Sequence, residues 1–212
     1  MAMTRWFLRL PVLLMLGSIH WVHADTLQVL TTGAFKPVVQ AVAADVAGRT
    51  GDSIQVLNDT AGNLSRRIQA GESFDVVVLT PAALHDLTEQ GWLRPGSIVN
   101  LARVGVGVAV KKGQPRPPLA TQEDFVRALQ QARKVAYIDP SSGGSSGIYL
   151  QGLFRRMGLD ASLADKSVLV KGGLVANKLV TDEADLAIHQ ISEILAVEGA
   201  DLVGPLPESL QN

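Results

Sequence analysis

Residues 27–35 read LQVLTTGAF, and residues 53–64 read SIQVLNDTAGNL. Each stretch begins with an apolar run typical of a buried strand and ends in a turn that contains threonine and glycine. A third stretch of the same kind, KVAYIDPSSGGSSG, occupies residues 134–147. Because helical patterns follow these turns, the order along the chain is strand, turn and helix, repeated. Such alternation predicts an α/β fold with mainly parallel sheets and helices on both faces.

Apolar residues at helical spacing support this order. After the first turn they recur at i, i+3, i+4, i+7 and i+11, which places them on one face of a helix. These residues are Phe35, Val38, Val39, Val42 and Val46. A second face, after the serine-rich turn, consists of Tyr149, Leu150, Leu153, Phe154 and Met157. Strands are predicted at residues 27–31, 53–57, 75–79, 104–110, 134–138, 168–170, 185–188 and 201–203.

Composition limits the classes of function. Of the 212 residues, 47% are apolar and 18% are charged, so the chain can bury a core and is not expected to be disordered. The absence of cysteine excludes disulfides, thiolate metal ligands and cysteine nucleophiles. The net charge of −1 and the lack of a basic run give no support to a nucleic-acid partner. We expect neither a metal nor a cofactor, since only His85 and His189 follow the N-terminal segment and their spacing is not that of metal ligands.

The first 24 residues have the features of a signal for export. Arg5 and Arg9 give a positive start, residues 10–16 are mostly apolar, and residues 22–24 (VHA) offer small side chains where signal peptidase needs them. We predict cleavage after Ala24 and a periplasmic protein that is not held in the membrane. The alternative, an uncleaved anchor, is disfavoured because the apolar run is short and interrupted. Loss of Arg5 and Arg9 leaves 17 basic and 20 acidic residues, a net charge of −3.

Ligands of parallel α/β sheets bind beyond the carboxyl ends of the strands, where strands turn into helices. In this chain those turns are rich in hydroxyl groups and glycines. They are Thr31-Thr32-Gly33, Asp59-Thr60-Ala61-Gly62, Thr80-Pro81, residues 141–147 and Gly172-Gly173. Any one of them is an ordinary helix cap or turn. Together, several helix N-termini at one edge of a sheet predict a cleft that binds a small anion through neutral donors.

The glycine–serine turn also matches a catalytic motif. Residues 143–147 read GGSSG and fit G-x-S-x-G, the nucleophile elbow of serine hydrolases. A hydrolase also needs a histidine and an acid after the serine, and only His189 is available, with Asp185 on the same predicted strand. The turn is also longer than a tight elbow. We therefore expect Ser145 to bind a ligand and not to act as a nucleophile.

Four motifs resemble those of the molybdate-binding proteins of ABC importers. They are LTTGA at residues 30–34, TAGNLSRRI at residues 60–68, GESFDVV at residues 71–77 and GIY at residues 147–149. The resemblance extends from about Leu27 to the end of the chain, in the order of that family. It implies the class II periplasmic-binding-protein fold, in which two α/β lobes close on a ligand and present it to an ABC permease.

In the molybdate-binding proteins, hydroxyls and backbone amides at helix starts hold the oxyanion. Together with the turns described above, the resemblance predicts one set of ligand-binding residues. The set comprises Thr32, Gly33, Thr60, Ala61, Thr80, Ser145, Ser146, Gly172, Gly173 and Gln190. This chain has Thr32 where the family has serine, Pro81 where the family donates an amide, and Gln190 where the family has tyrosine. The expected ligand is therefore a small anion, an oxyanion or a di- or tricarboxylate, and not molybdate in particular.

The chain also resembles aconitate isomerases, which are exported enzymes of the same fold. TTGAF at residues 31–35 and DTAG at residues 59–62 carry that resemblance. Isomerisation requires a base that removes a proton from a carbon acidified by neighbouring carboxylates. His189 or Glu193 could serve, although both also suit a strand end and a helix start without a catalytic role. The sequence thus favours a monomeric carrier over an isomerase and keeps both hypotheses.

The boundary between the lobes is expected near Ala102-Arg103, where the chain enters a strand that contains glycine. This places residues 25–102 in the first lobe and residues 103–203 in the second, with residues 204–212 returning to the first. Chains of both resembling families continue beyond the position of Gly204-Pro205 with a further strand and helices. The sequence here ends at Asn212, so either it is truncated or the first lobe is incomplete and exposes apolar surface.

Overall fold

The computed structural model describes residues 26–211, in which strands and helices alternate as the sequence predicts. The strands are β1 (Thr26–Thr32), β2 (Ser53–Asp59), β3 (Val76–Val78), β4 (Val106–Lys111), β5 (Val135–Ile138), β6 (Ser167–Val170), β7 (Leu186–Gln190) and β8 (Ala200–Pro205). The helices are α1 (Lys36–Thr50), α2 (Ala61–Gln69), α3 (Pro81–Glu89), α4 (Gln122–Gln131), α5 (Ser145–Arg156), α6 (Asp160–Leu163), α7 (Asn177–Val180) and α8 (Ile191–Ile194). The predicted signal peptide and its cleavage site lie outside the described residues. No helix within them is long and apolar enough to cross a membrane.

The first lobe is a parallel sheet of three strands, in the order β2-β1-β3, together with helices α1 to α3. Its central strand buries Leu30 completely, and Leu30 packs with Leu64 and Ile68 of α2 and with Leu87 of α3. Because the three strands are parallel, their carboxyl ends meet at one edge of the sheet. The turns that precede α1, α2 and α3 therefore lie along that edge.

The valine face of α1 is partly exposed. Helix α1 contains no buried residue, and the side chains of Val38 and Val42 are 48% and 56% exposed. The apolar spacing predicts the helix, but Val39 and Val46 are only half-buried and Val38 and Val42 remain exposed. The first lobe thus has exposed apolar surface.

The second lobe is a sheet of five strands, in the order β6-β5-β7-β4-β8, with helices α4 to α8. Successive residues of β4 face opposite core layers, since Val108 packs in a layer with Phe125 of α4, whereas Ala109 packs with Leu179 of α7. Helices therefore cover both faces of this sheet. Strand β5 is parallel to β6 and β7, but β4 is antiparallel to β7 and β8. The α/β prediction is confirmed. The reversal of β4 was not predictable, because an apolar strand buried on both faces does not encode its direction.

The last described residues pack on the second lobe. Strand β8 pairs with β4, and Leu206 and Leu210 are buried in the core of the second lobe. The hydroxyl of Tyr149 donates a hydrogen bond to the carbonyl of Leu210, and the side chain of Gln211 bonds both backbone groups of Val106. The return to the first lobe expected for residues 204–212 therefore does not occur as far as Gln211, because apolar contacts hold this segment where it is. The boundary near Ala102-Arg103 remains a prediction.

Candidate functional site

The carboxyl ends of strands from both sheets meet at a cleft between the lobes. A cavity of about 540 Å³ and a second of about 750 Å³ occupy this cleft and share part of their walls. Residues that line at least one of them include Thr32, Gly33, Thr60, Ala61, Thr80, Ser145, Ser146, Gly172, Gly173, His189, Gln190 and Glu193. The fold thus brings together every site residue named from the sequence. Their contact with a ligand remains a prediction.

The start of α5 has polar atoms without partners. Ser146 is only 2% exposed, and its hydroxyl oxygen has no hydrogen-bond partner among the described residues. The amide nitrogen of Gln190 donates to the hydroxyl of Ser145 over 3.0 Å, while the carbonyl oxygen of Gln190 is buried and unpartnered. Leaving such groups unsatisfied is costly, so they mark a place where a polar ligand fits. The unpaired amides of α5 add partial positive charge at the same point.

Two glycines of the serine-rich turn are needed because the turn lies directly on β5. A β-carbon at Gly144 would overlap the side chain of Ile138, and one at Gly147 would overlap the carbonyl of Ile138. This contact accounts for the glycines of the GGSSG motif without a nucleophile elbow. Ser145 is bonded to Gln190 and has no bond to His189, so the histidine that a hydrolase requires is not in place.

The hydroxyl of Thr60 both accepts and donates a hydrogen bond within the protein. This hydroxyl accepts a hydrogen bond from the amide of Asn63 over 3.2 Å, which caps α2, and donates one to the carbonyl of Ser142 over 2.7 Å. The hydroxyl therefore has no proton left to donate to an anion in this arrangement. The amide of Ala61, at the first position of α2, remains as the donor of this turn. Thr80 similarly caps α3, by accepting from the amide of Ala83 over 3.5 Å.

His189 and Glu193 form a buried pair in the smaller cavity. The Nε2 atom of His189 lies 3.3 Å from the Oε2 atom of Glu193, and the two residues are 2% and 8% exposed. Burial disfavours the charged form of each group. It lowers the pKa of His189 to about 3 and raises the pKa of Glu193 to about 7. At neutral pH the pair is thus an uncharged imidazole beside a carboxyl group that readily gains or loses its proton.

The carboxyl group of Glu193 also lies against the first lobe. A β-carbon built at Gly33 would overlap the Oε1 atom of Glu193, so only glycine leaves room for this carboxyl. The neighbouring Ser192 donates a hydrogen bond to the carbonyl of Ala34 over 2.7 Å. These contacts fix the first turn of α8 against the turn that follows β1.

Comparison with known proteins assigns the chain to a family. Residues 27–212 match the profile of a bacterial extracellular solute-binding protein family. The chain belongs to this family. It is 33% identical over 218 residues to an aconitate isomerase from a Pseudomonas species, covering 97% of this chain and 82% of that protein.

Solved structures of solute-binding proteins share the fold. The periplasmic molybdate-binding protein of Azotobacter vinelandii has a TM-score of 0.60 at 20% identity, covering 86% of this chain and 77% of that one. The sulfate-binding protein of Mycobacterium tuberculosis has a TM-score of 0.65 at 15% identity, covering 85% and 71%. These similarities confirm the two-lobed fold and the family resemblance expected from the sequence.

The cleft of this solute-binding family member contains basic residues that the sequence analysis missed. Lys36 lines the smaller cavity and Arg103 lines the larger one. Among residues 26–211, neither forms a salt bridge with an acidic side chain. Lys36 could have been identified from the sequence, since it is the first residue of the helix that follows the Thr32-Gly33 turn. Arg103 could not, because it lies in an irregular segment before β4.

Proposed function

We propose that this protein interconverts cis- and trans-aconitate, or a closely related unsaturated polycarboxylate, by moving one proton between carbon atoms. The observation behind the proposal is the buried pair of His189 and Glu193. The pair lies in a cleft lined with groups that can donate hydrogen bonds to an anion. The aconitate isomerase that shares 33% of its residues with this chain supports the same proposal.

A buried carboxyl group gives no advantage to a simple oxyanion carrier. When ionised, Glu193 would repel an anion held in the same cavity, and such a cage needs only neutral donors. A carboxyl group whose pKa is raised to about 7 can instead accept a proton and return it near neutral pH. Perturbed groups of this kind are common where a protein performs acid–base chemistry.

Aconitate has a methylene carbon between a carboxylate and the carbon–carbon double bond. Ionised Glu193 removes one proton from this carbon, and the electron pair left behind is shared over three carbons. Glu193 then returns the proton to the carbon at the far end of this unit, and the double bond moves by one position. One carbon–hydrogen bond breaks and another forms, so the reaction needs no oxidant or reductant. The geometry of the new double bond is set by the conformation in which the cleft holds the former single bond.

Other residues of the cleft have complementary roles in this proposal. His189, with its proton on Nε2, donates to the ionised carboxylate of Glu193 and orients it. The start of α5, with Ser145 and Ser146, stabilises the negative charge that develops on the substrate. Lys36 and Arg103, in different cavities, bind carboxylates at separate ends of the substrate. A ligand with several carboxylates offers a separate carboxylate to each of these cations.

A carrier function is the second candidate. The unpartnered hydroxyl of Ser146 and the first amides of α5 suit a bound anion whether or not a reaction follows, and proteins that bind molybdate and sulfate share the fold. As a carrier, the protein would present its anion to an ABC permease. In either role we propose a periplasmic monomer, with residues 1–24 removed.

Turnover separates the two candidates. Purified protein is incubated with trans-aconitate in deuterium oxide, and proton NMR follows both the appearance of cis-aconitate and the loss of the methylene signal. We expect conversion by the wild type. We expect Glu193→Gln to lower the rate by about 10²- to 10⁴-fold, which is the usual contribution of a general base. Glu198→Gln is the matched control, because Glu198 is exposed and lies five residues further along the chain.

Two results would contradict the isomerase. One is the absence of conversion of either isomer by the wild type, together with calorimetric binding that Glu193→Gln leaves unchanged. This result would favour the carrier. The other is full turnover by Glu193→Gln, which would remove Glu193 from the reaction.

A further inference from the structure

The main chains of the two lobes touch at a pair of glycines. The amide of Gly62, at the second position of α2, donates a hydrogen bond to the carbonyl of Gly143 over 2.9 Å. A β-carbon at Gly62 would lie 2.7 Å from the α-carbon of Gly143, and a β-carbon at Gly143 would lie 2.7 Å from the α-carbon of Gly62. Such separations are far below van der Waals contact, so this approach requires glycine on both sides.

A second hydrogen bond accompanies the glycine contact. The hydroxyl of Thr60 donates to the carbonyl of Ser142 over 2.7 Å, one residue before Gly143. Gly143 has a φ of +76°, a left-handed conformation that ends the short 3-10 turn at residues 140–142. Two consecutive carbonyls of the second lobe thus accept from two donors at the start of α2 in the first lobe.

We propose that the contact of Gly62 with Gly143, supported by Thr60, is a latch that holds the cleft closed without a ligand. In a typical two-lobed binding protein, closure depends on a ligand that touches both lobes. Here protein atoms also bridge the lobes, next to Thr60, which lines the smaller cavity of the cleft. The latch positions Glu193 of the second lobe against Gly33 of the first, so the predicted site is assembled before a ligand arrives.

The sequence of α2 supports a specific purpose for Gly62. Glycine is a poor helix former, and alanine at this position would favour α2 if the first lobe stood alone. Because α2 already has a threonine cap, the glycine is not needed to begin the helix. Among the described residues, it is the close approach of Gly143 that requires glycine at position 62.

Distance measurements test the latch directly. The chain has no native cysteine, so spin labels can be attached at Glu89→Cys in α3 and Arg155→Cys in α5, two exposed positions on different lobes. In the absence of added ligand, we expect one main population at a short distance. Gly62→Ala in the same background should shift the population to longer distances, with the ratio of closed to open molecules lowered by about tenfold or more.

Gly48→Ala is the matched control. Gly48 also lies within a helix, and a β-carbon there would meet nothing within 4 Å, so its distance distribution should equal that of the wild type. If Gly62→Ala does not fold, Thr60→Val removes the neighbouring hydrogen bond at nearly constant shape and should produce a smaller shift in the same direction. A wild type that is already open without ligand, or identical distributions for Gly62→Ala and Gly48→Ala, would overturn the latch. The measurement involves no turnover and is therefore independent of whether the protein is an isomerase.

Discussion

The start of α2 and the start of α5 have similar sequences and different surroundings. Both combine hydroxyl residues with glycine directly after a strand. At α2, the hydroxyl of Thr60 and the amide of Gly62 are bonded to the second lobe. At α5, the hydroxyl of Ser146 is buried without a partner among the described residues. The same motif therefore connects the lobes in one place and leaves donors for a ligand in the other.

Among substitutions outside the pair of His189 and Glu193, the largest expected effect follows from the turn after β1. Gly33→Ala introduces a β-carbon where the carboxyl group of Glu193 lies, so the carboxyl must move. A displacement of this order in a reacting group can reduce turnover by about 10²-fold. We expect that loss in the conversion of trans-aconitate. Gly48→Ala serves as the control that should retain full activity, and an active Gly33→Ala would show that the position of Glu193 does not matter.

The buried carboxyl group also predicts how stability depends on pH. Burial raises the pKa of Glu193 to about 7 from an ordinary value of 4.5. Between these values the folded protein binds a proton that the unfolded chain releases, so this group's contribution to stability is lost as pH rises toward 7. The low pKa of His189, about 3, acts oppositely, because stability is lost as pH falls below about 6.5.

Comparison of the wild type with Glu193→Gln isolates the contribution of the Glu193 carboxyl group to the pH dependence of stability. The free energy of unfolding of the wild type, relative to that of Glu193→Gln, should decrease by up to about 3 kcal/mol between pH 4.5 and pH 7. Denaturant titrations at several pH values measure this difference. A difference that does not change with pH would show that the glutamate ionises normally. It would also remove the main argument for proton transfer at this site.

The comparison of the two helix starts is tested most directly by removing one hydroxyl from each. Ser146→Ala should weaken the binding of trans-aconitate by about 1–3 kcal/mol in calorimetry, with little change in melting temperature. Thr60→Val should instead lower the melting temperature, since it removes the cap of α2, worth about 0.5–2 kcal/mol. Its effect on affinity should be smaller than that of Ser146→Ala. The reverse order would place the ligand at α2 and contradict the different roles of the two helix starts.

The smallest expected effect concerns the neighbouring serine. Ser145→Ala removes a hydroxyl that Gln190 already engages, while the amides of α5 and the hydroxyl of Ser146 remain. Binding and turnover of aconitate should change by less than about fivefold, that is, by about 1 kcal/mol or less. A serine-directed covalent inhibitor should not label the protein. Stoichiometric labelling of Ser145 detected by mass spectrometry would revive the hydrolase hypothesis.

Periodicity predicts the elements of this fold well because the strands are apolar and the turns are explicit. The helix after Gly33 and the strand that contains Val108 both occur where the pattern places them. Burial of a helix face depends on what packs against it, and spacing alone could not indicate that Val38 and Val42 of α1 are exposed. The packing of residues 206–211 on the second lobe was missed for the same reason, since Leu206 and Leu210 could suit either core.

The candidate site was predictable to the level of turns and not to the level of individual donors. Topology places Thr60 and Ser146 at the same edge, and the structure brings both to the cleft. What sequence could not show is that the carbonyl of Ser142 accepts the hydrogen bond of the Thr60 hydroxyl, because the two residues are 82 positions apart. The burial of His189 and Glu193 likewise depends on lobe contacts that no local pattern encodes.

The contact of Gly62 with Gly143 also has a kinetic consequence. If a cleft rests closed, a ligand must wait for opening, so the observed association rate stops rising with ligand concentration once it reaches the opening rate. Escape waits for the same event, which gives long residence times even where affinity is moderate. Rapid mixing of the protein with trans-aconitate over a wide concentration range should show this plateau in the observed association rate. Gly62→Ala should raise the rate at the plateau.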